Sequence, residues 1–286
     1  MGKSSANISA FRSWLHAVRV DNLIGLTIGT FLLRFSYFHV LPSLSDLLKE
    51  LLFVLPILCI SAGGTIINDY FDIKEDRVKR PNRAHIGRTL KRRVALVSHW
   101  GLTALGLGLA LLLSSIEDSY IPIIIALSAA IVLFLYSTWF KGKLLIGNIA
   151  IAGIMTAFVP FALSDIPMKD IGDTYDWFCV FTFTTIFIRQ LAKDLIDYEI
   201  DKSSGLRTLP VAFGTKASWR LIYILEAWLI FIVSDAISQS DSRLFQIFFC
   251  ITLLCTLFFS VRKNPQALSA WLKLMLASGL IWVVLY

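Results

Sequence analysis

LLFVLPILCISAGGTIINDYFDIKED, residues 51–76, decides how this chain is read. Residues 51–67 carry no charge, and an apolar run of that kind approaches the length that crosses the hydrocarbon core of a bilayer. The run then turns acidic: Asp69, Asp72 and Asp76 fall at i, i+3 and i+7. On a helix this spacing puts three carboxylates on one face, about a turn apart. Like charges on one stripe repel, so the stripe expects a positive partner. A hard divalent cation such as magnesium, which takes oxygen ligands, suits it.

The spacing recurs 125 residues later. Asp194-Leu195-Ile196-Asp197-Tyr198-Glu199-Ile200-Asp201 again reads D-x-x-D-x-x-x-D, closes an apolar run and leads into a polar loop. One such string reads equally well as a solvated helix end; two with identical spacing point to a paired site.

Composition sets the class. The chain has 286 residues, 56% hydrophobic and 16% charged, against about a quarter charged in soluble domains. The expected fold is therefore an all-α integral membrane protein, one domain over 1–286. Nine apolar segments can be drawn, at 20–40, 50–70, 94–115, 119–140, 144–164, 176–195, 217–236, 243–261 and 266–285. The net charge of +7 lies in loops: 21 of the 27 Lys and Arg fall on one side of the alternation, nine of them between Lys74 and Arg93. Positive-inside topology explains this better than nucleic-acid binding. It predicts a multi-pass protein of the cell (inner) membrane, with the N-terminus and both acidic stretches cytoplasmic and the C-terminus outside. Arg34, Lys49, Lys169 and Arg243 fall on the outer side, among acids such as Glu117, Asp118 and Asp241. Met1 to His16 is polar and mixed, without the compact apolar core of a cleavable signal. The acidic stretches end segments two and six, four segments apart and running the same way. This predicts two pseudo-repeated helical halves around a central cavity.

Polar residues inside or at the ends of apolar segments mark candidate contacts, because such groups face a cavity or a partner. They include Arg19 and Asn22 opening the first segment, Tyr136 in the fourth with Lys141 after it, and Asn148 in the fifth. Arg189 and Lys193 lie in the sixth. For Arg189, an ion pair with a neighbouring Asp and a substrate contact stand equal. Lys273 in the last segment reads as snorkelling or an internal pair. Gly63-Gly64 predicts close helix packing just before the first acidic stretch. His85, His99 and the four cysteines show no metal-ligand spacing.

Two carboxylate stripes at the water–lipid boundary make a divalent-metal site. Magnesium usually keeps phosphate oxygens and water among its ligands, and Arg77, Lys141, Lys193 and Arg207 supply charge to neutralise phosphate. The implied ligand is a diphosphate on a lipid tail, hence a polyprenyl diphosphate. Here the residues carry a resemblance. N-D-x-x-D-x-x-x-D at 68–76, D-x-x-D-x-x-x-D at 194–201 and Arg207-Thr208-Leu209-Pro210-Val211-Ala212-Phe213-Gly214 resemble the UbiA superfamily of intramembrane prenyltransferases. So do Tyr136-Ser137, Lys141, Gly147-Asn148, Arg19 and Asn22. The resemblance implies nine transmembrane helices around a central cavity and two Mg2+ ions bridging a prenyl diphosphate. The prenyl chain would pass to an acceptor. It assigns Asn68, Asp69, Asp72 and Asp76 to one metal site and Asp194, Asp197 and Asp201 to the other. Asp72, Asp76, Asp197, Asp201, Tyr136 and Lys141 would be catalytic, with Tyr136 facing the allylic cation. Arg19, Asn22, Asn68, Arg77, Lys141, Asn148, Lys193 and Arg207 would bind substrate.

The acceptor is the open choice. The stretches 68–74 and 88–95 look most like bacterial members of the geranylgeranylglyceryl-phosphate geranylgeranyltransferase-like branch, which implies a glycerol-phosphate lipid acceptor and a geranylgeranyl-type donor. Arg80-Pro81-Asn82-Arg83 matches the family's R-P-x-R, but Ala84-His85-Ile86-Gly87 replaces the usual R-P-I-P. Aromatic acceptors of quinone or chlorophyll type form the alternative. A transporter and a non-catalytic isoprenoid-binding scaffold are the rivals of other classes. The transporter leaves both acidic stripes at the cytoplasmic ends unexplained, and the scaffold leaves two complete metal motifs unexplained.

Overall fold

Every apolar segment drawn from the sequence is occupied by a helix, and no strand forms among the described residues. The computed structural model describes residues 11–39, 46–79, 85–167, 170–239 and 242–285. Lys3, Lys169, Asp241 and the R-P-x-R motif at 80–83 lie outside them. A short helix, α1, covers 11–17. It is followed by α2 (Val20–Phe38), α3 (Leu47–Phe71), α4 (Ile73–Lys79), α5 (Arg92–Ile116) and α6 (Ile121–Leu135). A π-turn spans Tyr136–Phe140, and α7 covers Ile146–Ala162. Then come α8 (Asp173–Ile196), α9 (Tyr198–Ser203), α10 (Leu209–Phe213), α11 (Thr215–Gln239), α12 (Arg243–Val261) and α13 (Pro265–Leu285).

Among the described residues, six helices are long and apolar enough to cross a membrane: α3, α5, α6 with its π-turn, α11, α12 and α13. At 25 residues, α3 is about 37 Å long at 1.5 Å per residue, more than the roughly 30 Å of hydrocarbon. The protein is thus an integral, multi-pass membrane protein. Of the other three apolar segments, α7 is short at 17 residues, and α2 and α8 are interrupted by charge. Arg34, placed on the outer side by the sequence, sits within α2 at 4% exposure, its guanidinium 5.2 Å from the centre of the Phe38 ring. This cation–π contact helps hold the charge inside the helix.

The chain divides into two compact units. In the first (Met1–Phe31, Val40–Trp139 and Pro160–Asp165), α3 packs along α5 and touches α6. Gly63 and Gly64 allow it: a β-carbon on Gly63 would lie 2.8 Å from Thr103 Oγ1, and one on Gly64 2.7 Å from Leu133 Cδ1. His99 shares a hydrogen bond of 3.0 Å with the Gly63 carbonyl across the same contact. Small residues thus bring two backbones together where neighbouring lipid would supply no hydrophobic drive. One buried cluster joins Ala17, Ile66, Ile73, Ile86, Leu90 and Ala95, tying α1, α3, α4, the 85–90 turn and α5 together. In the second unit (Leu32–His39, Phe140–Val159 and Ile166–Tyr286), α8 packs against α11 and α13, and Ala152, Ile186 and Phe187 form a small buried cluster.

Candidate active site

The sequence reading put each acidic triad on one helical stripe. The structure breaks both helices inside the triad, at the same point. Asp72 ends α3 with φ −83° and ψ 4°, and α4 begins at the next residue. Asp197 ends α8 with φ −89° and ψ 3°, and α9 begins at the next residue. The bridge-region backbone at both central aspartates is sparsely populated, and active-site residues often sit there. Main-chain bonds still run through each break. Asp72 N–H donates to Asn68 at 3.0 Å, and Asp76 N–H donates to Asp72 at 2.8 Å. In the second stretch, Asp197 N–H donates to Lys193 at 2.9 Å and Asp201 N–H to Asp197 at 2.9 Å. The triads therefore keep their turn-by-turn spacing while bending at the middle carboxylate.

In the first unit, Asn68 Nδ2 donates to Asp72 Oδ2 at 3.0 Å, and Asp72 is buried. The other side-chain atom, Asn68 Oδ1, is buried with no hydrogen-bond partner among the described residues. An orphaned buried acceptor is costly unless something positive reaches it. Asp69 differs: Arg19 Nη2 donates to Asp69 Oδ1 at 3.0 Å, so its charge is met by a guanidinium. Arg19 adopts the left-handed region at φ +54°, in the joint between α1 and α2. Asn22 is exposed in the first turn of α2, and Arg77 is exposed in α4.

In the second unit, Asn148 Nδ2 in α7 donates to Asp194 Oδ2 in α8 at 2.8 Å. Asp201 is buried at 4% exposure. The loop after it is clasped by the loop after the π-turn: Arg207 N–H donates to the Gly142 carbonyl at 2.7 Å, and Leu206 N–H to the Asp201 carbonyl at 2.9 Å. Gly142 sits at φ +72°, and a β-carbon there would lie 2.6 Å from Leu206 Cδ2, so only glycine fits. The clasp ties the backbone of the Lys141 loop to that of Arg207 and, through Leu206, to Asp201. Lys193 is half-buried in the last turn of α8. Tyr136 opens the π-turn, and such turns recur at functional sites. Among the described residues Arg189 makes no ion pair with an Asp: its Nε donates to the Ser269 carbonyl at 3.3 Å, joining α8 to α13.

Sequence reading missed Gly142, Leu206 and Glu226. The only hint of Gly142 was its place between Lys141 and Lys143. Glu226, in mid-α11, is 3% exposed, and its Oε1 has no hydrogen-bond partner among the described residues. A carboxyl in mid-segment was signal enough to mark it.

Among the described residues, no group of three or more His, Cys, Asp or Glu gathers tightly enough to hold a metal by itself. Magnesium takes one or two carboxylates and completes its shell with water and substrate phosphate. The all-oxygen donors of both stretches and the orphaned Asn68 oxygen fit it.

Comparison with known proteins agrees with the motifs. Digeranylgeranylglyceryl phosphate synthase of Methanopyrus kandleri is 32% identical over 164 residues, 57% of each chain. That of Thermococcus gammatolerans is 38% identical over 155 residues, 54% of this chain and 53% of the relative. The chain thus spans little more than half the length of these relatives. That of Saccharolobus solfataricus is 27% identical over 231 residues, 78% of this chain and 76% of the relative. A solved structure of a digeranylgeranylglyceryl phosphate synthase matches with a TM-score of 0.72 at 25% identity, covering 96% of this chain and 97% of that one. A UbiA homologue from Archaeoglobus fulgidus bound to DMAPP and Mg2+ shares the fold, with a TM-score of 0.63 at 17% identity, covering 96% of this chain and all of that one. The model of the UbiA prenyltransferase family matches residues 19–285, and the chain belongs to that family.

Proposed function

We propose that this protein is a magnesium-dependent prenyltransferase that moves a geranylgeranyl-type chain from its diphosphate to the hydroxyl of a glycerol-phosphate lipid. The observation that carries the proposal is the repeated break at Asp72 and Asp197, each within an all-oxygen acidic stretch. Relatives named digeranylgeranylglyceryl phosphate synthase support the acceptor, and the homologue bound to DMAPP and Mg2+ supports donor and metal. The family fold supports nine crossings in two related halves around a cavity. The charge of the loops supports a cytoplasmic N-terminus in the cell membrane.

Asn68, Asp72 and Asp76 would supply ligands to one metal ion, and Asp194, Asp197 and Asp201 to the other, with water and substrate phosphate completing each shell. Asp69 stands outside, paired with Arg19. Magnesium held there would supply positive charge against the departing diphosphate. Lys141, Lys193 and Arg207 neutralise the rest, with the Gly142 clasp fixing the backbone that carries Lys141 and Arg207. Asn22 lines the entry of α2. The C1–O bond of the prenyl diphosphate breaks with its electron pair going to the diphosphate. Tyr136 presents its ring to the allylic cation. The acceptor hydroxyl oxygen then bonds to C1 and releases its proton to water.

The test is magnesium-dependent release of diphosphate from geranylgeranyl diphosphate by the purified protein, with mass spectrometry of the product from a panel of acceptors. Asp72→Ala and Asp197→Ala are each expected to abolish release. Full activity in either variant would sink the metal assignment. Prenylation of an aromatic acceptor alone would sink the glycerol-phosphate assignment.

A further inference from the structure

We propose that Arg77 and Arg92, converging over Gly87, form a binding site for a phosphate monoester, and that the phosphate of the acceptor occupies it; the inference rests on the glycerol-phosphate reading above. The site is built on the turn 85–90. Gly87 N–H donates to the Leu90 carbonyl at 2.7 Å, and the N–H groups of Arg88, Thr89 and Leu90 each donate to the His85 carbonyl at 3.1 Å. Ile86 and Leu90 are buried in one cluster with Ile73 of α4 and Ala95 of α5. The turn and the two helices bearing the arginines therefore share one apolar anchor, unlike a loose basic loop. His85 stacks on His16 of α1, with ring centres 5.2 Å apart.

Gly87 has φ +79°, and a β-carbon there would lie 3.3 Å from Arg77 Nη2 and 3.5 Å from Arg92 Nε. Two guanidinium groups thus reach one glycine from different helices. Neither forms a hydrogen bond or ion pair among the described residues. Arg88, Lys91 and Arg93 are exposed around them and add positive charge. Like charges that converge without a counter-charge repel, so the arrangement calls for an anion. Guanidinium forks match phosphate oxygens in pairs, and a phosphate monoester carries nearly two negative charges at neutral pH. Arg92 also opens α5, where the free N–H groups of a helix start favour an anion. Arg77 follows Asp76 directly, so the site adjoins the first acidic stretch. The proposed diphosphate clamp employs Lys141, Lys193 and Arg207, which leaves this arginine pair for the second anionic substrate.

Steady-state kinetics of the detergent-solubilised full chain test the site, with geranylgeranyl diphosphate and geranylgeranylglyceryl phosphate varied in turn. Arg92→Gln and Arg77→Gln are each expected to raise KM for the phosphate acceptor about tenfold or more, the effect of losing one charge-assisted hydrogen bond. KM for geranylgeranyl diphosphate should stay at its wild-type value. An unchanged acceptor KM in both variants, or an equal rise in both KM values, overturns the proposal. The variants are also compared in phosphatidylcholine and phosphatidylglycerol vesicles. The same defect in both lipids supports the acceptor as occupant, whereas a defect confined to phosphatidylglycerol assigns the site to lipid headgroups and overturns it. A wild-type protein that prenylates only aromatic acceptors would overturn the function proposed above. Glycerol phosphate raising the Tm of the wild type but not of Arg92→Gln would still uphold the anion site, and the absence of that shift would overturn it.

Discussion

Asn148 shows how a single side chain sets the chemistry of its neighbour. Its amide nitrogen donates to Asp194 Oδ2 at 2.8 Å from the adjacent helix. An outer partner of this kind holds a ligand carboxylate in one orientation, and losing it costs about 10- to 100-fold in metal affinity. Asn148→Ala is therefore expected to raise the magnesium concentration for half-maximal diphosphate release by that order. Asn148→Asp should cost more, because a second carboxylate against Asp194 replaces an attraction with a repulsion. A magnesium titration of diphosphate release checks both, and wild-type dependence in Asn148→Asp would remove Asn148 from the site. Asp69 gives the complementary lesson: its place in the triad made it a candidate ligand, but the Arg19 ion pair gives its charge a protein partner.

At the scale of elements, the acidic stretches depend on how closely their helices are held. Gly63 lies six residues before Asp69 on α3, where a β-carbon would meet Thr103 Oγ1 at 2.8 Å and the His99 carbonyl at 3.3 Å. Thr103 can turn away, but the backbone carbonyl cannot, so α3 and α5 must part. Gly63→Ala is expected to destabilise the protein by about 1–3 kcal/mol, the range for overpacking a tight contact. It should lower the Tm in detergent, and an unchanged Tm would show that the helices separate freely. The sequence segments and the helices agree closely here: 243–261 is reproduced to the residue, and 266–285 begins one residue early. The fourth differs, since 119–140 becomes α6 followed by the π-turn at Tyr136–Phe140. Hydropathy registers an apolar run but not which carbonyl each N–H chooses, so a π-turn inside it is invisible to composition.

For the whole molecule, the prediction is topological. If the charged loops set the orientation, a cysteine at Asp118 or Asp235 should react with an impermeant thiol reagent in intact cells. One at Arg88 or Lys202 should react only after lysis. All four are placed in a protein whose native cysteines have been replaced. Reaction of Arg88→Cys in intact cells would reverse the assigned orientation. On that predicted orientation both acidic stretches would face the cytoplasm.

The sequence by itself determined the membrane class, the position of every long helix and the two acidic triads. These properties are local: they follow from apolar run length, from charge in the intervening loops and from residue spacing within a few turns. The break at Asp72 and Asp197, the Arg19–Asp69 and Asn148–Asp194 pairs, the Gly142–Leu206 clasp and the arginines over Gly87 belong to the tertiary structure. The two hydrogen-bonded pairs join residues 50 and 46 positions apart. Whether they meet depends on how whole helices pack, and no periodicity along the chain encodes that. The stretch 51–76 thus predicts a cation site from its charges alone, while packing decides that Asp69 meets Arg19 and that Asn68 meets Asp72.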